Sequence, residues 1–103
     1  MVATAMECFI KSDMNREQAA ERVAASPHAD ILCRLTRNGK KSSLQTSALS
    51  WLKKLRRGEV PAVEEIRAYQ HKVLDGNHSP ADWRARGDQE LAEAADDVRK
   101  SAP

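Results

Sequence analysis

The stretch LQTSALSWLKKLRRG, Leu44 to Gly58, decides the fold class. Laid on a helix at about 100° per residue, Leu44, Ala48, Trp51, Leu52 and Leu55 fall within one apolar stripe. Lys53, Lys54, Arg56 and Arg57 take the other side, and Gly58 supplies a stop. After Glu59-Val60, Pro61 opens a second helical pattern that places Ala62, Ile66, Tyr69 and Val73 on one face, and Gly76 ends it. The connection is short, so the two segments are expected to lie against each other as a central helical hairpin.

Working outward, the same periodicity recurs with helix punctuation between the pieces. Thr4-Ala5-Met6-Glu7 has the spacing of a capping box, with Val2, Met6, Phe9 and Ile10 at helical intervals around it. Asn15 with Gln18 predicts the start of another helix through Ala25. Ser26-Pro27 predicts a third start, running to about Arg37 with Ile31, Leu32 and Leu35 on one side and Asn38-Gly39 as its stop. The run from Asp75 to Pro80 is a linker with turn chemistry at nearly every position. Ser79-Pro80 then starts a helix carrying Trp83, Gly87-Asp88 is expected to break it, and Gln89 to Arg99 forms a last segment with Leu91, Ala95 and Val98 on one face. No alternating β-branched run is present, and no repeat of fixed period. The expected fold is all-α, a single helical domain over 1–103 built as a small bundle of about five short amphipathic helices. Residues 1–14 read as an N-terminal arm or short helix, and 88–103 as an acidic C-terminal segment that frays or docks on a partner.

The apolar content is thin. Of 103 residues, 41% are hydrophobic, but 16 of these are alanine, and Leu, Ile, Val and Phe together number 18. That is below the roughly one-fifth at which chains begin to look disordered. Disorder also requires high net charge, and here it is only +2. A modest core that gains from association is the expected outcome. The charge is unevenly placed. Arg34, Arg37, Lys40, Lys41, Lys53, Lys54, Arg56 and Arg57 occur with no acid between them, while Asp88, Glu90, Glu93, Asp96 and Asp97 occur with no base. Such stretches either attract each other or meet a partner.

Catalytic and metal chemistry find no support in the pattern. His28 and Cys33 are five apart, His71 and His78 straddle the linker, and no zinc-like ligand spacing exists. Glu64 and Glu65 are adjacent and point about 100° apart on a helix. The glycines stand singly, so no phosphate loop is present. Cys8 and Cys33 are too few for a disulfide framework. No apolar run reaches the ~20 residues of a membrane span. Neither catalytic residues nor a cofactor or metal site is expected, and a cytoplasmic location with reduced thiols is.

Two binding readings remain. The first is a small non-enzymatic regulator, adaptor or inhibitor of bacterial type, acting through helical surfaces on a protein target, a second copy of itself, or both. Its contact residues are expected to be Phe9, Ile10, Trp51, Leu55, Ile66 and Tyr69, with Phe9 and Tyr69 the ones most exposed to a partner. The plain alternative is that all six are core, above all Trp51, Leu55 and Ile66. The second reading is nucleic-acid binding. Arg16 to Pro27 resembles the first helix and turn of a bacterial helix-turn-helix, with Ala20, Ala24 and Ser26 in its small and polar positions. That resemblance implies phosphate contacts from Arg34, Arg37, Lys40 and Lys41. The match slips where an apolar anchor is required, because Asp30 stands there and Ile31 follows one residue late.

Overall fold

The structure, a computed structural model, describes residues 1–101. They form six α-helices: α1 (Val2–Lys11), α2 (Arg16–Ala25), α3 (Ala29–Leu32), α4 (Leu44–Arg56), α5 (Val63–Val73) and α6 (Pro80–Ser101). Single turns of 3-10 helix follow α3, at Cys33–Leu35, and precede α4, at Lys41–Ser43. No strand occurs among the described residues. The fold is a small helical bundle.

Its centre is α1. Val2, Ala3, Thr4, Ala5, Met6, Cys8 and Phe9 are all buried, so this helix is enclosed on most of its circumference, unlike a peripheral arm. It lies against α6, α4 and α2, and its contact with α6 is the most extensive in the molecule. The capping box expected at Thr4 does not form. The helix begins at Val2, and the buried Thr4 hydroxyl instead accepts a hydrogen bond from the Gln70 side chain at 3.2 Å. Glu7 pairs with Arg56 on α4 at 2.6 Å. A Thr-x-x-Glu spacing in mid-helix serves tertiary partners as readily as a cap.

The cap expected at Asn15 is present in full. Its side chain accepts from the Gln18 backbone N–H at 2.8 Å, and Gln18 accepts from the Asn15 backbone N–H at 3.0 Å. From this start α2 turns Ala19, Ala20 and Val23 into the core. At the other end Ser26 closes α2 and does not open α3: its hydroxyl donates to the Val23 carbonyl at 2.8 Å. The third helix is therefore a single turn from Ala29, tightened to 3-10 geometry at Cys33 and ended by extended backbone at Thr36. Leu32 is fully buried, whereas Leu35 has passed the edge of the core.

As the stripe predicts, α4 buries Leu44, Ala48, Leu52 and Leu55. The hairpin does not close. No residue of α5 is buried, and α5 forms no close seam with α4 or any other helix. The turn reverses through Gly58 (φ +73°) and Ala62 (φ +55°), delaying the helix to Val63. Side-chain ties then hold α5 to α1 and α6, leaving its apolar face short of α4: Gln70 to Thr4, Tyr69 to Glu90, and Arg86 to the Val73 carbonyl at 2.8 Å.

The expected break at Gly87 is absent. One helix of 22 residues, about 33 Å at 1.5 Å per residue, runs from Pro80 to Ser101. Gly87 sits inside it because Phe9 lies directly against its backbone, and an added Cβ would stand under 3.0 Å from three carbons of that ring. The segment read as a C-terminal piece over 88–103 is helical up to Ser101; Ala102 and Pro103 lie outside the described residues.

Candidate functional site

The space left between α4 and α5 is an open apolar groove of about 440 Å³. Trp51, Lys54 and Leu55 line it from α4, Val60 and Ile66 from the turn and α5, and Ala94, Asp97, Val98 and Ser101 from α6. The start of α1, Met1 to Ala3, and Leu35 complete it. Trp51, Ile66 and Val98 are each half-buried, so the bundle neither seals them in nor releases them to water.

A second depression adjoins it, sharing Met1 and Asp97, and is lined further by Tyr69, Glu93, Asp96 and Lys100. This shelf is organised by Glu90, a buried carboxylate on α6. The Tyr69 hydroxyl stands 2.6 Å from both of its oxygens, and the Met1 amine donates to one of them at 3.2 Å. Burial, and then the hydrogen bond to Glu90, push the Tyr69 phenol above its ordinary range, so it stays a donor. Glu93 and Asp97 are exposed and form no ion pair among the described residues, while Asp96 pairs with Arg99 at 3.0 Å.

Three large hydrophobic side chains are exposed among the described residues: Leu35 at 50%, Met1 at 37% and Tyr69 at 36%. All three border the groove or its shelf. Surface apolar groups scattered singly carry no message, but exposed ones gathered at one depression mark an interaction site.

Of the six expected contact residues, the structure brings Trp51, Leu55 and Ile66 together around the groove, with Tyr69 on its shelf. Phe9 lies elsewhere. It is 0% exposed, pressed on Gly87 with the Arg22 guanidinium over its ring at 5.1 Å, and so offers no surface. Ile10 is half-buried against the core and does not line the groove. Phe9, expected at a partner surface, is core, while Trp51 and Ile66 face the opening and Tyr69 is exposed on the shelf. Leu35, Val60 and Val98 were not singled out as contact residues. The available signal was position: Leu35 and Val98 each stand last in an apolar stripe, and Val60 stands in the turn between two helices.

The basic side chains Arg34, Arg37, Lys40 and Lys41 are exposed on the two 3-10 turns and the chain between them, and Lys41 pairs with Asp30 at 2.7 Å. A helix-turn-helix needs a second helix long enough to lie in the major groove, and α3 has four residues. The basic and acidic stretches do not join each other either. Among the described residues, no ion pair links residues 34–57 to residues 88–97; Asp88 pairs with Arg22, and Arg56 with Glu7.

The titratable groups are arranged for packing. No cluster of three potential ligands capable of holding a metal occurs among the described residues. Both cysteines are free and buried. Burial, followed by the nearby Glu90 charge, raises the Cys8 thiol to about 11, away from nucleophile chemistry. The Cys33 thiol donates to the Asp30 carbonyl at 3.2 Å. No helix among the described residues is long and apolar enough to cross a membrane. No family model matches this chain, and no curated protein or solved structure is significantly similar to it.

Proposed function

We propose that this chain is a small non-enzymatic binding protein, a cytoplasmic regulator, adaptor or inhibitor, that receives an apolar surface of a protein partner in the groove between α4 and α5. The observation that carries this reading is the gathering of the large hydrophobics exposed among the described residues, Leu35 and Met1 at that groove and Tyr69 on the shelf adjoining it. The half-buried Trp51 and Ile66 add an aromatic and an aliphatic anchor of the kind that dominates interface energetics. An amphipathic helix laid in such a groove buries its own stripe and covers these side chains together.

The test is a photoreactive side chain placed at Ser101, on the lip of the groove, and irradiated in cells. Discrete protein adducts are expected, and they disappear in the Ile66→Asp, Val98→Asp double variant, whose folding is checked by circular dichroism. If the folded double variant yields the same adducts, the groove is not the contact surface and the reading fails.

A further inference from the structure

Resting on that reading of the groove, we infer that α5 is its lid. The helix undocks and redocks as one unit while α1, α2, α4 and α6 stay folded, admitting the partner and closing Ile66 onto it.

The core is complete without this helix. Its cluster of buried apolar side chains draws on α1, α2, α3, α4 and α6, and no residue of α5 belongs to it. Among the described α-helices, α5 alone buries no residue. Val63, Ile66 and Val73 are half-buried, so undocking adds only part of each to the surface already in water. A segment with so little buried apolar contact opens at a fraction of the free energy of global unfolding.

What holds α5 is polar and gathered at one end. The Tyr69 hydroxyl donates to Glu90 at 2.6 Å and stands 3.5 Å from Glu93. Gln70 donates to the Thr4 hydroxyl at 3.2 Å, and the Val73 carbonyl accepts from Arg86 at 2.8 Å. All of these lie between Tyr69 and Val73 and form one latch. The first half of the helix, with Ile66 at the groove, has no side-chain hydrogen bond to another helix among the described residues. No ion pair joins α5 to another helix there either; Arg67 pairs with Glu64 inside α5 at 3.6 Å.

The connections on both sides suit such a movement. Gly58 (φ +73°) follows α4 and Gly76 (φ +84°) follows α5, each in a region open to glycine at no steric cost. Beyond Gly76 the chain is pinned again, because the His78 ring packs edge-on against Trp83 with 4.8 Å between centroids. The swing is thus confined between two fixed points, and α5 returns to the same place. Lifting it removes Ile66 from one wall and leaves Trp51, Leu55 and Val98 accessible along the groove.

Native-state hydrogen exchange of the full chain in low urea tests this. A helix of 11 residues is marginal in water by itself, so undocked α5 melts and its amides exchange. After correction for intrinsic rates, α5 amides should exchange at least about 100-fold faster than the slowest in α1 and α6, with a urea dependence well below that of global unfolding. Tyr69→Phe should speed exchange in α5 about tenfold. Val23→Ala, in the core on α2, should speed exchange in α1 and α6 about tenfold or more and leave α5 unchanged, because that site is intact whether or not α5 is docked. The urea series on the parent chain decides the matter even if Val23→Ala does not fold. If α5 shares the protection and urea dependence of α1 and α6, it belongs to the global unit and the inference falls. It falls equally if α5 shows no protection, or if its exchange ignores the loss of the Tyr69 hydroxyl. The groove reading is judged apart, by whether the Ser101 photoadducts depend on Ile66 and Val98.

Discussion

The two long sides of this bundle both present apolar faces and arrive at opposite results. Where α1 meets α6, the interface is closed; where α5 approaches α4, it is open. The difference lies in side-chain size. Ala5, Ala94, Ala95 and Gly87 let α1 and α6 come together until the Phe9 ring rests on backbone. Across the groove stand Trp51, Leu55 and Ile66, and no small residue among them allows α5 to settle. A sequence poor in large aliphatics can therefore close one seam completely by spending alanine and glycine there. The bulky side chains left over go to a surface that is unfinished in the single chain.

The largest expected effect comes from emptying the closed seam. Phe9→Ala should lower unfolding free energy by about 3–5 kcal/mol, read from urea denaturation. For a domain whose total stability is about 5–15 kcal/mol, that removes much of the margin. Gly87→Ala acts in the opposite sense, by overfilling. The added methyl meets the Phe9 ring, and about 1–3 kcal/mol should be lost although alanine is the better helix former by about 1 kcal/mol. If Gly87→Ala proves stabilising, α1 and α6 do not approach as closely as described, and the contrast between the two sides weakens.

Gly87 also shows how far the sequence could be read. Helix existence was legible nearly everywhere, since the α4 stripe and the Asn15–Gln18 cap are local patterns with local causes. What failed depended on distant partners. Gly87 reads as a breaker until Phe9 is seen against it, and Thr4 reads as a cap until Gln70 is seen to use its hydroxyl. Phe9, expected at a contact surface, is core for the same reason, because a stripe tells which face is apolar and not whether a neighbour closes over it. The shortage of large aliphatics, legible from composition, did point to an unfinished surface. Where that surface lies required knowing that α5 stands off from α4.

Tyr69 ties α5 down across the shelf. Tyr69→Phe keeps the ring and removes the hydroxyl that donates to Glu90, so about 1–2 kcal/mol should be lost, with hydrogen exchange rising first in α5. The same contact sets an alkaline limit. Because the folded state holds the Tyr69 phenol protonated above its ordinary 10.0, that stabilisation is complete below pH 10 and fades as pH rises through the folded value. Cys8 adds to this slightly earlier, over the interval from its ordinary 9.0 to about 11. A melting temperature level to about pH 8.5 and falling above it is the expected profile. One that rises across pH 9 to 11 would contradict both the burial of Cys8 and the Tyr69–Glu90 contact.

The smallest effect on stability sharpens the comparison most. Ile66 carries the apolar face of α5 into the groove, yet it is half-exposed and no seam closes over it. Ile66→Ala should therefore change unfolding free energy by only about 0.5 kcal/mol, as at a surface position. A buried isoleucine in the α1–α6 seam would cost about 2–5 kcal/mol by the same substitution. The two numbers separate two molecules. A small loss, accompanied by loss of the Ser101 photoadducts, belongs to a protein whose α5 keeps an open groove and meets a partner with it. A loss in the larger range belongs to one whose α5 packs down on α4 in solution, with no groove to fill, and the contrast between the two sides of the bundle would vanish.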